Sequence, residues 1–146
     1  MRLPLALCAA LTLTAAPPSW NSDLSVAVHQ AGKEKKPVLV LFTGSDWCPY
    51  CISLEKEVFS TPEFEAFAKE AILVKLDYPR RQERTPEKLA ANKPLADLIA
   101  LKDAHKVTGF PTVLWLSPEG RELSRVVSYR KDTGPKAYLA QLSGKK

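Results

Sequence analysis

Five consecutive apolar residues, Val38-Leu39-Val40-Leu41-Phe42, follow directly on Pro37. Side chains along a strand point alternately to its two sides, so a run with no polar break predicts a strand buried on both faces. Such a strand needs a layer above it and a layer below. The rest of the chain can supply both.

Before this run, Leu24, Ala27, Val28 and Ala31 recur at helical spacing, with Asn21 or Ser22 as a cap and Gly32 as a stop. After it, Cys51, Leu54 and Val58 keep a second helical stripe. Thr61-Pro62 begins a third helix, faced by Phe64, Phe67, Ala68 and Ala71. Residues 72–77 alternate apolar and polar in strand fashion. Residues 78–93 are a polar insertion, read as a loop with a helix starting at Thr85-Pro86. Leu95, Leu98 and Ile99 mark a further helix, with Pro94 at its start or at a kink. Thr112-Val113-Leu114-Trp115-Leu116 is a strand, Pro118-Glu119-Gly120-Arg121 a turn, and residues 122–128 the returning strand of a hairpin. Pro135 opens a last helix with Tyr138, Leu139 and Leu142 facing inward. Strands separated by helices imply parallel pairing, and the closing hairpin adds antiparallel strands. The expected fold is α/β, in three layers, with a mixed sheet flanked by helices on both faces.

Composition agrees with one soluble domain. The 146 residues are 45% hydrophobic and 25% charged, enough to enclose a core. Three cysteines are too few for a disulfide-stapled scaffold. The net charge of +5 is dispersed: its basic stretches are Lys33-Glu34-Lys35-Lys36, Arg80-Arg81 with Arg84, and Lys145-Lys146. No aromatic residues are interleaved with them, so a nucleic-acid partner is not expected.

Residues 1–16 read as a secretory signal peptide. Met1-Arg2 is the positive start, residues 3–14 are apolar apart from small hydroxyls, and Ala15-Ala16 precedes Pro17-Pro18. Cleavage is expected within residues 14–19, leaving residues 17–146 as the mature domain. Leu7 before Cys8 is too bulky for a lipoprotein box, so Cys8 is expected to be discarded with the leader. The mature chain then works outside the cytoplasm, in the periplasm or a comparable space. There a surviving cysteine pair is either a structural disulfide or a redox centre.

Cys48-Pro49-Tyr50-Cys51 is that pair. Cys-x-x-Cys alone also serves zinc sites and haem attachment. A closed zinc site needs four ligands, and the only histidines are the widely separated His29 and His105. Haem attachment needs a histidine where Ile52 stands. A copper or zinc carrier using the two thiolates, and an adaptor with an inert disulfide, stay open as alternatives. Placement between a buried strand and a helix start favours thiol chemistry. Residues i and i+3 across a first helical turn lie close enough to form and open a disulfide. The helix N-terminus favours a thiolate on Cys48, which is expected to be exposed, while Cys51 on the inward stripe is expected to be shielded.

Trp47-Cys48-Pro49-Tyr50-Cys51, followed about sixty residues later by Gly109-Phe110-Pro111-Thr112, resembles the active-site segment and cis-proline loop of the thioredoxin-like family. The resemblance extends over residues 24–142. It implies a thioredoxin fold, Cys48 as nucleophile, Cys51 as resolving cysteine and a redox disulfide between them. Pro111 is then cis, and Trp47, Pro49, Tyr50, Phe110 and Pro111 support the site, with Phe110 and Pro111 binding substrate backbone. Protein disulfides or thiols are the implied substrates. A membrane-borne electron donor, a monomeric state and no cofactor or metal are also implied. Three departures stand out. Leu41 and Phe42 occupy the region of the family's buried acid, so Cys51 needs water or another group for its proton. Pro49-Tyr50 is the glutaredoxin dipeptide, yet Ser117-Pro118-Glu119-Gly120 stands where a glutaredoxin has its double glycine, which speaks against glutathione use. Residues 78–93 exceed a minimal thioredoxin. Asp46 beside the pair and the lack of an imidazole within it favour a reductant over a strong oxidant.

Overall fold

The computed structural model describes residues 16–80 and 95–145. The leader assigned to residues 1–16 lies outside them except for Ala16, as do Cys8, the helix expected at Thr85-Pro86, and most of the 78–93 insertion. The described elements are β1 (Trp20–Asn21), α1 (Leu24–Glu34), β2 (Val38–Thr43), α2 (Pro49–Leu54), a π-helical turn (Glu55–Phe59), α3 (Pro62–Ala68) and β3 (Ile72–Asp77). After the insertion come α4 (Leu95–Ala104), β4 (Thr112–Leu116), β5 (Glu122–Val127) and α5 (Pro135–Ser143).

The sheet has five strands in the order β1-β3-β2-β4-β5. β3 pairs parallel with β1 and β2, whereas β4 pairs antiparallel with β2 and β5. The apolar run lies at the middle of this mixed sheet, and all six residues of β2 are buried. Its side chains divide by parity. Leu39 and Leu41 join Leu54, Val58, Phe64, Tyr138 and Leu142 from the π-turn side, α3 and α5. Val38, Val40 and Phe42 join Leu24, Ala27 and Ala31 of α1 on the opposite face, with Leu101 of α4 packed against them. These are the three layers that a doubly buried strand demands.

Local corrections each have a physical cause. Asp23, not Asn21 or Ser22, caps α1, because its carboxylate accepts the N–H groups of Ser25 at 2.8 Å and Val26 at 3.2 Å. Asn21 belongs instead to β1, where its side-chain amide donates to the Leu73 carbonyl. Gly32 does not end α1; the helix runs to Glu34 and stops at Lys35, which adopts the left-handed conformation at φ 56°. Residues 72–77 are more buried than a half-exposed alternating strand, since β3 lies between two neighbours. The widened turn at Glu55–Phe59 brings the adjacent residues Val58 and Phe59 into the core together.

Candidate active site

The tip of β2 leads into the site. Gly44 follows the strand, and its carbonyl accepts the Cys48 N–H at 2.9 Å, closing the turn that starts α2. Cys48 is the N-cap, and Pro49 takes a first-turn position where a missing N–H costs nothing. The Cys51 N–H donates to Cys48 Sγ at 3.4 Å, and the Gly44 N–H donates to Cys51 Sγ at 3.4 Å. Both thiols are free in this structure.

The Phe110-Pro111 peptide bond is cis. This turn lies against the pair, with the Cys48 thiol donating to the Phe110 carbonyl at 3.6 Å. The contact corrects one expectation: Cys48 is not the exposed sulfur. It is 4% exposed and Cys51 3%, because the cis-proline turn covers Cys48. Pro111 is itself buried, and its carbonyl accepts the Ser128 N–H at 2.7 Å, tying the turn to the end of β5. Pro49 and Tyr50 are exposed on the surface of the helix start.

Burial pushes the Cys51 thiol up to about 12, and its contact with Cys48 acts in the same direction. The Gly44 N–H and the Thr43 hydroxyl oppose that rise without cancelling it. Cys51 is therefore a protonated, shielded thiol across the ordinary pH range.

Trp47 is held from several sides. Its indole N–H donates to the Tyr78 carbonyl at 2.7 Å, and Phe110 meets the ring edge-on at 5.8 Å between centroids. The Arg80 guanidinium lies 3.7 Å over the ring. Asp46 accepts the Arg80 backbone N–H at 3.0 Å, so the acid beside the pair helps to seat the first residues of the insertion. Gly44 has to be glycine, since a Cβ there would stand 2.4 Å from Trp47 Cε2.

These elements reproduce the family arrangement, and residues 24–143 match the family model for a thioredoxin-like domain. This chain belongs to the thioredoxin-like family. The domain is 32% identical over 115 residues to the disulfide bond reductase DsbH of Chlamydia pneumoniae, covering 78% of this chain and 65% of that protein. It is 30% identical over 120 residues to the thiol:disulfide interchange protein DsbD of Klebsiella pneumoniae, covering 81% of this chain and 17% of that one. A solved DsbH oxidoreductase superposes with a TM-score of 0.74 at 28% identity, covering 97% of this chain and 93% of the other. The chain thus spans less than two thirds of the length of these two sequence relatives.

The thioredoxin-like site contains groups that sequence reasoning missed. A cavity of about 490 Å³ is lined by Thr43, Cys51, Ile52, Glu55, Lys75 and neighbours. Glu55 and Lys75 pair within it at 3.1 Å. Leu41 and Phe42 do fill the region of the usual acid, and both are buried. The spacing of Glu55 one helical turn beyond Cys51 was the available signal, because residues i and i+4 share a helix face. Lys75 had no local signal; its register beside Leu41 comes from sheet pairing. Among the described residues, no three His, Cys, Asp or Glu side chains gather as a metal site.

Proposed function

We propose that this thioredoxin-like domain carries out thiol–disulfide exchange on proteins outside the cytoplasm, acting as a reductant through Cys48 and Cys51. The observation that carries the reading is the hydrogen-bonded dithiol at the start of α2, seated against a cis-proline turn. The names of the DsbH and DsbD relatives point the same way.

The Cys48 thiolate attacks one sulfur of a substrate disulfide, forming a mixed disulfide and expelling the other sulfur as a thiolate. Cys51 then loses its proton and attacks Cys48 Sγ. The Cys48-Cys51 disulfide forms, the second substrate sulfur leaves, and two electrons have passed to the substrate. Glu55 takes the place of the absent strand acid as the carboxylate near Cys51, through their shared cavity. Phe110 and Pro111 lie where a substrate backbone can pair beside Cys48, with Trp47 and Tyr50 at its flanks. No cofactor is needed, and a membrane-borne donor would restore the dithiol. What supports the reductant direction is the modest stabilisation of the Cys48 sulfur among the described residues. Its hydrogen-bond donor in the helix turn is the Cys51 N–H, and no imidazole stands between the cysteines.

The test is trapping. Cys51→Ala should accumulate mixed disulfides on Cys48, resolved on non-reducing gels, whereas Cys48→Ala should trap far fewer, because burial keeps the Cys51 thiol protonated. Equal trapping by the two variants would overturn the assigned roles. Stoichiometric copper or zinc binding with no exchange would instead support a metal carrier.

A further inference from the structure

β3 places a lysine where its neighbours are apolar. Ile72, Leu73, Val74 and Leu76 are buried, and Lys75 stands among them on the sheet face that carries Leu73. β1 pairs Trp20 with Leu73, two residues before Lys75 on that face. The Lys75 ammonium lies 4.8 Å from the centroid of the Trp20 ring, and it donates to both carboxylate oxygens of Glu55 at 3.1 Å. Trp20 is fixed in turn: it stacks on Phe64 at 5.8 Å and meets Phe59 edge-on at 5.5 Å between centroids.

The ion pair by itself would be loose. The side chains of Lys75 and Glu55 are 28% and 45% exposed, and a pair so open to water contributes little while it costs the freedom of two long side chains. The Trp20 ring supplies a third contact, which keeps the ammonium over the sheet rather than in solvent. Glu55 is held at its other end by the backbone, its N–H donating to the carbonyls of Cys51 and Ile52. Its carboxylate lines the cavity that Cys51 also lines. Trp20, Lys75 and Glu55 therefore form one chain of contacts from the short first strand to the cavity of the buried thiol.

We propose that Trp20 is a positioning residue for the resolving step: by holding Lys75 it keeps the Glu55 carboxylate in the Cys51 cavity, where it takes the thiol's proton. The inference deepens the proposed function and rests on Cys48 and Cys51 being the redox pair, with Glu55 as the carboxylate that serves Cys51. The proton leaves Cys51 Sγ for Glu55 and passes on to solvent. The freed thiolate attacks Cys48 Sγ, the Cys48-Cys51 disulfide forms, and the second substrate sulfur leaves as a thiolate. Attack by Cys48 on the substrate precedes this and does not involve Trp20.

The test uses the mature protein in its dithiol form and stopped-flow absorbance with dithiodipyridine. This probe releases one coloured thiopyridone when Cys48 attacks and a second when Cys51 resolves. The first release scales with probe concentration and the second does not. Trp20→Leu keeps an apolar side chain against Phe59 and Phe64 but offers no ring to the ammonium. It should slow the second release about fivefold and leave the first unchanged. Trp20→Phe, which restores a ring face, should return the second release to within about twofold of wild type. With Glu55→Gln already in place, Trp20→Leu should add nothing, since the contact acts through that carboxylate. Lys75→Met leaves the aromatic packing in place and should slow the second release as much as Trp20→Leu; if it does not, the inference falls whatever Trp20→Leu does to the fold. A second release untouched by Trp20→Leu, slowed equally with and without the Glu55 carboxylate, or as slow in Trp20→Phe, also overturns the inference while leaving the redox reading intact. A wild-type second release in Glu55→Gln removes the role of the carboxylate and the inference with it. A single release per wild-type protein removes the redox pair itself.

Discussion

Replacing Gly44 with alanine tests how the site is held together. The added methyl carbon would stand 2.4 Å from Cε2, 2.6 Å from Nε1 and 2.7 Å from Cζ2 of Trp47. Comfortable carbon contacts begin at about 3.5 Å, so the indole must withdraw by about 1 Å. That displacement acts on a ring fixed by a 2.7 Å hydrogen bond to the Tyr78 carbonyl and a 3.7 Å stack with Arg80. Losing the hydrogen bond costs about 0.5–1.5 kcal/mol, and the overpacking itself about 1–3 kcal/mol. The expected destabilisation is about 2–4 kcal/mol, read from urea unfolding of the dithiol protein at constant m-value. Dithiol oxidation by a small disulfide should slow as well, since Trp47 and Phe110 are in edge contact beside Cys48. Gly109→Ala is the control. It lies in the cis-proline loop, but no heavy atom stands within 4 Å of its added Cβ, so stability should change by less than about 1 kcal/mol. If Gly44→Ala unfolds at the wild-type midpoint, or Gly109→Ala loses as much, the argument from Trp47 is wrong.

Three further outcomes follow from the same structure. Because burial pushes the Cys51 thiol up to about 12, the unfolded chain releases this proton from about pH 8.5 upward while the folded one keeps it. Stability should therefore fall as pH rises from about 9 to 12, and Cys51→Ala should show a shallower fall in urea midpoint across that window; parallel slopes would count against a buried, protonated Cys51. Equilibration with glutathione buffers should place the pair well below the about −120 mV of a strong oxidase and toward the about −270 mV of thioredoxin. A potential near the oxidase value would remove the reductant direction. N-terminal sequencing of the exported protein should begin within residues 14–19, and a chain retaining Met1 would contradict the leader assignment.

Much of the site was legible because its signals are local. The double burial of β2 follows from five adjacent apolar residues, and the inward placement of Cys51, Leu54 and Val58 from helical spacing alone. Thr61-Pro62 announced its helix because a capping hydroxyl and an N–H-free first turn act within a few residues. The proline of Gly109-Phe110-Pro111-Thr112 was recognised through family resemblance rather than periodicity. Trp20–Asn21 was not read as a strand at all. Two residues carry no periodicity, and β1 exists because Trp20 stacks on Phe64 and Asn21 bonds to β3.

Tertiary structure alone decided what surrounds the sulfurs. An amphipathic pattern states which face turns inward but not which distant residue it meets. Cys48 looked exposed because helix starts usually are; the Phe110 carbonyl, 62 residues away in sequence, covers it. Arg80, after β3, reaches Trp47, and Lys75, within β3, reaches Glu55, through packing against the segment after β2 rather than through any spacing along the chain. Amino-acid order therefore determined which residues could do thiol chemistry and which surfaces they turned inward. Strand register and loop packing determined how deeply those thiols are buried and which charges stand beside them, since both depend on contacts between residues far apart in the chain.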